Sequence, residues 1–216
     1  MTIPAAKPTR HIGLDFDNTI VLYDAVFADL GREAGLLPLG FAGGKGAVRA
    51  HIRALPQGEA KWTALQAKVY GPGIKRAVPA PGLFDALGRL AAAGWRLSIV
   101  SHKTEFAAAE PDGMNLREAA RGWIARHGLT DRFGIQAADI HFLPTREEKI
   151  TRIIDAGCTD FVDDLVEVFQ EKDFPPAVRQ YLYTPGGPHP HERGGPWTGC
   201  ATWQEIGDAL LNRHAA

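Results

Sequence analysis

The chain has 216 residues, 45% of them hydrophobic and 23% charged, with a formal net charge of −1. That balance suits one sizeable α/β domain, or a core with a small insertion, and gives no global reason to expect nucleic-acid or membrane binding. The two cysteines, Cys158 and Cys200, lack metal-ligand spacing, and residues 1–10 hold no apolar signal-peptide core. No apolar run approaches the roughly 18 residues that a membrane span requires. A cytoplasmic protein with free thiols is expected.

In chain order, the apolar run Ile12, Gly13, Leu14 leads into Asp15, Phe16, Asp17, Asn18 and Thr19. A strand over 12–16 places Asp15 and Asp17 on the same side, where the strand ends. Two carboxylates that close repel, so one stays protonated or a cation sits between them. An Asp-rich turn after a strand has the same letters, and the rest of the chain decides between the two.

Periodicity predicts a helix over 20–35, with Leu22, Val26, Phe27 and Leu30 on one face and Gly35 as its stop. Residues 36–80 lack a strong strand and hold two short helices, about 45–55 and 58–70, the second broken at Tyr70-Gly71-Pro72-Gly73. They form a small helical insertion, with Trp62, Leu65 and Val69 as its core. Gly43-Gly44-Lys45-Gly46 lacks the spacing of a Walker phosphate loop and follows no strand.

The α/β rhythm then resumes. A helix from Leu83 ends at Gly94, and a buried strand over 96–101 delivers Ser101 and His102. Asn115 caps a helix whose apolar face is Leu116, Ala119, Ala120, Trp123 and Ile124, with Gly128 as its end. A third strand, 139–143, precedes a Thr145 to Glu148 capping box; the helix it starts carries Lys149, with Ile150, Ile153 and Ile154 inward. A fourth strand, 159–162, ends in Asp163 and Asp164, and a helix over 165–172 follows. Residues 179–183 make a fifth strand, 185–199 an irregular loop, and Thr202 with Glu205 start the last helix. His189, His191 and Glu192 read as a solvated loop rather than a metal site, and Cys200 as packing near Trp197 and Trp203.

Alternating strands and helices mean a parallel, doubly wound sheet with right-handed crossovers. Ligands bind such sheets off the carboxyl ends of the strands, where strand order reverses. Asp15, Asp17, Ser101, Asp163 and Asp164 all come to that edge.

These residues resemble the four motifs of the haloacid dehalogenase-like (HAD) superfamily over nearly the whole chain. Asp15-Phe16-Asp17-Asn18-Thr19 is similar to the first, Ser101 to the second, Lys149 to the third, and Asp163-Asp164 after an apolar strand to the fourth. Asn18 stands where the family often has Gly. The resemblance implies a Rossmann-like core over 1–22 and 80–216 and a helical cap of the C1 type over 23–79. It implies a phosphatase in which Asp15 is the nucleophile and Asp17 the general acid and base. Mg²⁺ would be held by Asp15, the Asp17 backbone carbonyl and Asp164, with Asp163 assisting through water. Ser101 and Lys149 would bind the phosphoryl group, and His102, beside Ser101, is a candidate for lining the site.

Expulsion of halide needs no proton, and dehalogenases of the superfamily lack the second Asp, so Asp17 favours a phosphate ester. A phosphotransferase or phosphomutase would use the same residues. A non-catalytic phospho-ligand-binding domain is expected to have lost one of them. The expected partner is a small phosphorylated metabolite such as a sugar phosphate, with neither nucleic acid nor membrane.

Residues 40–78 carry seven Lys and Arg against one acid, Glu59. Lys45, Arg49 and Arg53 recur every fourth residue, which puts them along one helix face. Either that face is solvated, or Lys45 and Arg49 bind a second anionic group of the substrate.

Overall fold

The structure, a computed structural model, describes residues 10–187 and 194–212. His189, His191 and Glu192 lie outside the described residues. Strand β1 (His11–Leu14) comes first, then β2 (Val21–Leu22), α1 (Asp24–Glu33), α2 (Lys45–Arg53), α3 (Gly58–Tyr70), a 3-10 turn (Pro72–Arg76) and β3 (Val78–Pro79). Helix α4 (Leu83–Ala92), β4 (Arg96–His102), α5 (Leu116–Arg126), α6 (Leu129–Phe133) and β5 (Ile140–Leu143) follow. The chain continues through α7 (Arg146–Asp155), β6 (Asp160–Asp163), α8 (Val166–Phe169), β7 (Arg179–Tyr183), β8 (Thr198–Cys200) and α9 (Trp203–Asn212). No helix among the described residues is long and apolar enough to cross a membrane.

The chain forms two compact units. The first comprises Met1–Ile20, Ala80–His102 and Leu129–Ala216; the second comprises Val21–Pro79 and Lys103–Gly128. Residues 103–128, read in sequence with the core, thus cluster with the second unit. Within the second unit the Trp123 indole N–H donates to the Ala77 carbonyl at 3.0 Å, buried, and so ties α5 to the chain after the 3-10 turn.

The first unit holds a six-stranded sheet in the order β5-β4-β1-β6-β7-β8, every pairing parallel. Strand order runs outward from β1 through β4 to β5, then restarts at β6 on its other side. The switch point is therefore at β1, and the chain ends of β1, β4 and β6 share one edge. Gly13 permits this central pairing: a Cβ there would stand 2.6 Å from the Phe161 ring and 2.9 Å from the Cys158 sulfur. Behind β6 the apolar core includes Val100, Ile150, Ile153, Phe161, Val168 and Leu182. At the opposite end of β6, buried Asp160 takes two bonds from Arg179, at 2.7 and 2.8 Å, fixing β6 to β7.

The second unit packs helices around aromatic rings. Phe27 stacks on Trp62 at 5.0 Å and meets the Tyr70 ring edge-on at 5.6 Å, while Tyr23 meets Tyr70 at 4.9 Å. Leu65 and Val69 are buried beside Trp62, as the periodicity of α3 requires.

Four local expectations are corrected. The helix expected over 20–35 begins only at Asp24, because Val21 and Leu22 commit their backbone to an antiparallel pairing with Pro79 and Val78. The helix expected over 165–172 is a single turn, Val166–Phe169. Residues 185–199 are not wholly irregular, since β8 pairs with β7 at the sheet edge. Ile154 is 52% exposed, whereas Ile150 and Ile153 are buried.

Candidate active site

Asp15 follows β1 directly, and its backbone N–H still donates to the Val162 carbonyl of β6 at 2.9 Å, so its side chain is aimed by the sheet. Its Oδ1 accepts two bonds, from Ser101 Oγ at 2.8 Å and from Lys149 Nζ at 2.6 Å. The same ammonium donates to Asp163 Oδ2 at 2.6 Å. Asp163 Oδ1 accepts the Leu165 N–H at 3.0 Å, which leaves both of its oxygens committed. Oδ2 of Asp15 is less constrained, meeting among the described residues the Thr19 hydroxyl at 3.5 Å; that hydroxyl is equally 3.5 Å from Asp164 Oδ1.

Local sequence explains each placement. Ser101 lies in β4, in register with Phe142 of β5. Lys149 rises from the first turn of α7, whose start is fixed by the Thr145 hydroxyl accepting the Glu148 N–H at 3.1 Å. The turn after Asp15 is closed by the Ile20 N–H donating to Phe16 and by the Trp203 indole N–H donating to the Thr19 carbonyl, each 3.0 Å. Asn18 in that turn has φ +62°, the left-handed region that Asn tolerates better than most side chains.

Asp15, Lys149 and Asp163 are all nearly out of solvent. The Asp15 pKa is raised to about 6: burial is the largest cause, Lys149 opposes it, and Asp163 and Asp17 add to it. Burial would deprotonate Lys149, but the Asp15 and Asp163 carboxylates outweigh it and hold its pKa above the ordinary lysine value.

Asp15, Asp163 and Asp164 offer carboxylate oxygens that all lie within 4.8 Å of one another. An all-oxygen donor set suits a hard cation such as Mg²⁺. Asp17 is half-buried and contributes no side-chain oxygen to this group. His102 is exposed, and its Nε2 donates to the Pro144 carbonyl at 2.9 Å, bracing the end of β4 against the start of α7.

In the second unit, Arg49 is exposed, and Arg53 is paired with Glu59 at 2.6 Å. Only Lys45 of that stripe turns onto aromatic rings. Sequence reading assigned no role to Trp203, although its N–H fixes the turn after Asp15; a lone Trp after a capping box carries no signal of that. Thr19 was readable as part of the first motif, but not as a group shared between Asp15 and Asp164.

No protein-family model and no curated protein matches the chain. Solved structures do. A predicted phosphoglycolate phosphatase from Haemophilus somnus 129pt is 12% identical with a TM-score of 0.55, over 97% of this chain and 100% of that one. YfnB from Bacillus subtilis, whose structure is bound to magnesium, is 15% identical with a TM-score of 0.54, over 94% and 99%. A dehalogenase with an intermediate complex is 12% identical with a TM-score of 0.56, over 93% and 96%. Several further matches are described as HAD-superfamily hydrolases. With a parallel sheet in this order and near-complete coverage of such structures, the chain has the haloacid dehalogenase-like fold.

Proposed function

We propose that the protein is a Mg²⁺-dependent phosphatase that hydrolyses a small phosphorylated metabolite through an aspartyl-phosphate on Asp15. The carrying observation is the bonding of one Asp15 oxygen to both Ser101 and Lys149, while its other oxygen meets the Thr19 hydroxyl, which also reaches Asp164. A phosphoryl group needs a nucleophile, donors for its equatorial oxygens and compensation for its charge, and these side chains supply all three.

In the first half-reaction an Asp15 oxygen bonds to phosphorus as the bond from phosphorus to the leaving oxygen breaks. Asp17, as the carboxylic acid, gives its proton to the departing alkoxide. In the second, Asp17 as carboxylate takes a proton from water, and the water oxygen bonds to phosphorus. The bond between phosphorus and the Asp15 oxygen breaks, releasing phosphate and restoring both aspartates. Ser101 donates a hydrogen bond to a phosphoryl oxygen, and the Lys149 charge is shared between Asp15 and the incoming group.

Asp15 and Asp164, with the Asp17 carbonyl, would hold Mg²⁺; Asp163, with both oxygens already bonded, would act at one remove. Bound there, Mg²⁺ supplies positive charge to phosphoryl oxygens and orients the ester. Fold likeness extends equally to a dehalogenase and to a predicted phosphatase, so the fold does not choose the leaving group. Asp17 does, because an alkoxide needs the proton that a halide does not.

The test is hydrolysis of 4-nitrophenyl phosphate and a metabolite panel by the purified protein, with and without Mg²⁺. Asp15→Asn should abolish turnover, since an amide does not attack phosphorus. Wild-type turnover in a folded Asp15→Asn protein would end the aspartyl-phosphate reading.

A further inference from the structure

The helix that carries Lys149 is tied at both ends by an imidazole. Ahead of α7, His102 at the end of β4 donates from Nε2 to the Pro144 carbonyl at 2.9 Å. Beyond its last turn, His11, the first residue of β1, donates from Nδ1 to the Ala156 carbonyl, also at 2.9 Å. All four residues belong to the first unit. The histidines come from different strands, so no local pattern places them on one helix.

His11 is buried, and because a carbonyl only accepts, its Nδ1 carries the proton. Burial, and after it Arg96, lowers its pKa, which keeps the ring neutral and Nε2 an acceptor for the Ser98 hydroxyl at 3.0 Å. With that proton committed, the Cys158 thiol donates to Ser98 Oγ at 3.9 Å. One ring thus joins β1, β4 and the end of α7. The far ends of the same three elements deliver Asp15, Ser101 and Lys149.

Ile150 and Ile153 hold α7 on the sheet by apolar contact, but that attraction is non-directional and does little to fix position along the helix axis. Hydrogen bonds are directional, and two at opposite ends define an axial position. Lys149 needs one, because its buried ammonium stands 2.6 Å from both Asp15 and Asp163. We infer that His11 and His102 are positioning residues that together set α7 along its axis, and with it the Lys149 ammonium between the two carboxylates. The consequence for turnover rests on the phosphatase reading; the tie itself does not.

Kinetics on 4-nitrophenyl phosphate with Mg²⁺, and amide hydrogen exchange, test this in the full-length protein with His11→Leu, His11→Asn, His102→Ala and the Leu/Ala double variant. Leu nearly fills the space of the ring without a donor. Asn puts an amide N–H where Nδ1 stood, and Ser98 retains Cys158 as a partner in both. His11→Leu and His102→Ala should each lower kcat about 10–100-fold, mainly without raising KM, as misplacement by about 1 Å does. Asn should recover most of that loss. The two ties lie about 15 Å apart along the ten-residue helix. Independent sites at that separation add, whereas one helix released from either end makes the double variant no slower than the worse single variant. Exchange in His11→Leu should rise at 146–150, at the far end from the lost bond. Should Leu not fold, exposed His102→Ala gives the same test, read at 153–156. Additive losses in kcat, or exchange raised only beside the lost bond, overturn the positioning role and leave the phosphatase intact. A wild type that hydrolyses no phosphate ester ends the phosphatase reading, while far-end exchange restored by Asn still supports the tie.

Discussion

Lys149 Nζ and Asp163 Oδ2 stand 2.6 Å apart with both side chains out of solvent. The same ammonium reaches Asp15 at the same distance, so one buried cation answers two buried carboxylates. Breaking such a group by removing one partner strands charge in a medium that solvates it poorly. Lys149→Met is expected to destabilise the fold by about 3–5 kcal/mol, measured by urea denaturation at pH 7, as well as to abolish turnover. A loss below about 1 kcal/mol would mean that the carboxylates find other compensation.

The Asp17 carboxyl group is expected to act only in proton transfer. Asp17→Asn should lower kcat on a poor leaving group by about 10²–10⁴-fold, the usual size of a general acid–base contribution. On 4-nitrophenyl phosphate, whose leaving group needs little protonation, the first half-reaction should suffer far less. Pre-steady-state release of nitrophenolate would show this as a burst followed by slow turnover. Equal loss of the burst and the steady state would remove Asp17 from the acid role.

Metal and pH are linked through Asp15. Its folded pKa is raised to about 6 from 3.8, chiefly by burial. The folded state therefore binds more protons than the unfolded one between those values, and without a cation stability falls as pH rises through that window. A cation binds the ionised carboxylate, so Mg²⁺ should stabilise the protein more at pH 7 than at pH 5. At about 100 times the dissociation constant the gain is roughly 2.7 kcal/mol. For a chain of this size that corresponds to a rise in Tm of roughly 5–11 °C. Differential scanning fluorimetry across pH 5–7 measures it, and a pH-independent shift would contradict the assignment of Asp15 as a ligand.

The two cysteines report on burial in a different pH range. Burial raises both thiols to about 11 from 9.0, Cys158 behind β1 and Cys200 at the end of β8. In the native state at pH 8 both should resist iodoacetamide, and both should react once the protein is unfolded in urea. The unfolded thiols ionise first, so stability should be level with respect to these groups below pH 8 and decline between about pH 9 and 11. Rapid native labelling of Cys158 would show that the wall between β1 and β6 opens on the labelling timescale.

The sequence by itself determined the parts of this protein that depend on near neighbours in the chain. Carboxylates just past an apolar strand, a threonine cap that starts α7 and places Lys149 in its first turn, and an Asn that caps α5 are properties of a few consecutive residues. Each stands where local chemistry puts it. Alternation of strands and helices was enough for a parallel sheet and its functional edge. Tertiary structure decided whatever depends on pairing between distant segments. Strands β2, β3 and β8 are two or three residues long, too short for any periodicity, and exist because a partner strand completes their hydrogen bonds. Residues 103–128 read as a continuation of the core, yet they pack with the second unit because Trp123 and its neighbours bury their apolar face there. The ammonium of Lys149 between Asp15 and Asp163, and that of Lys45 over Tyr70, are likewise invisible in order of residues. Charge at a distance along the chain becomes chemistry only when folding removes the water between the groups.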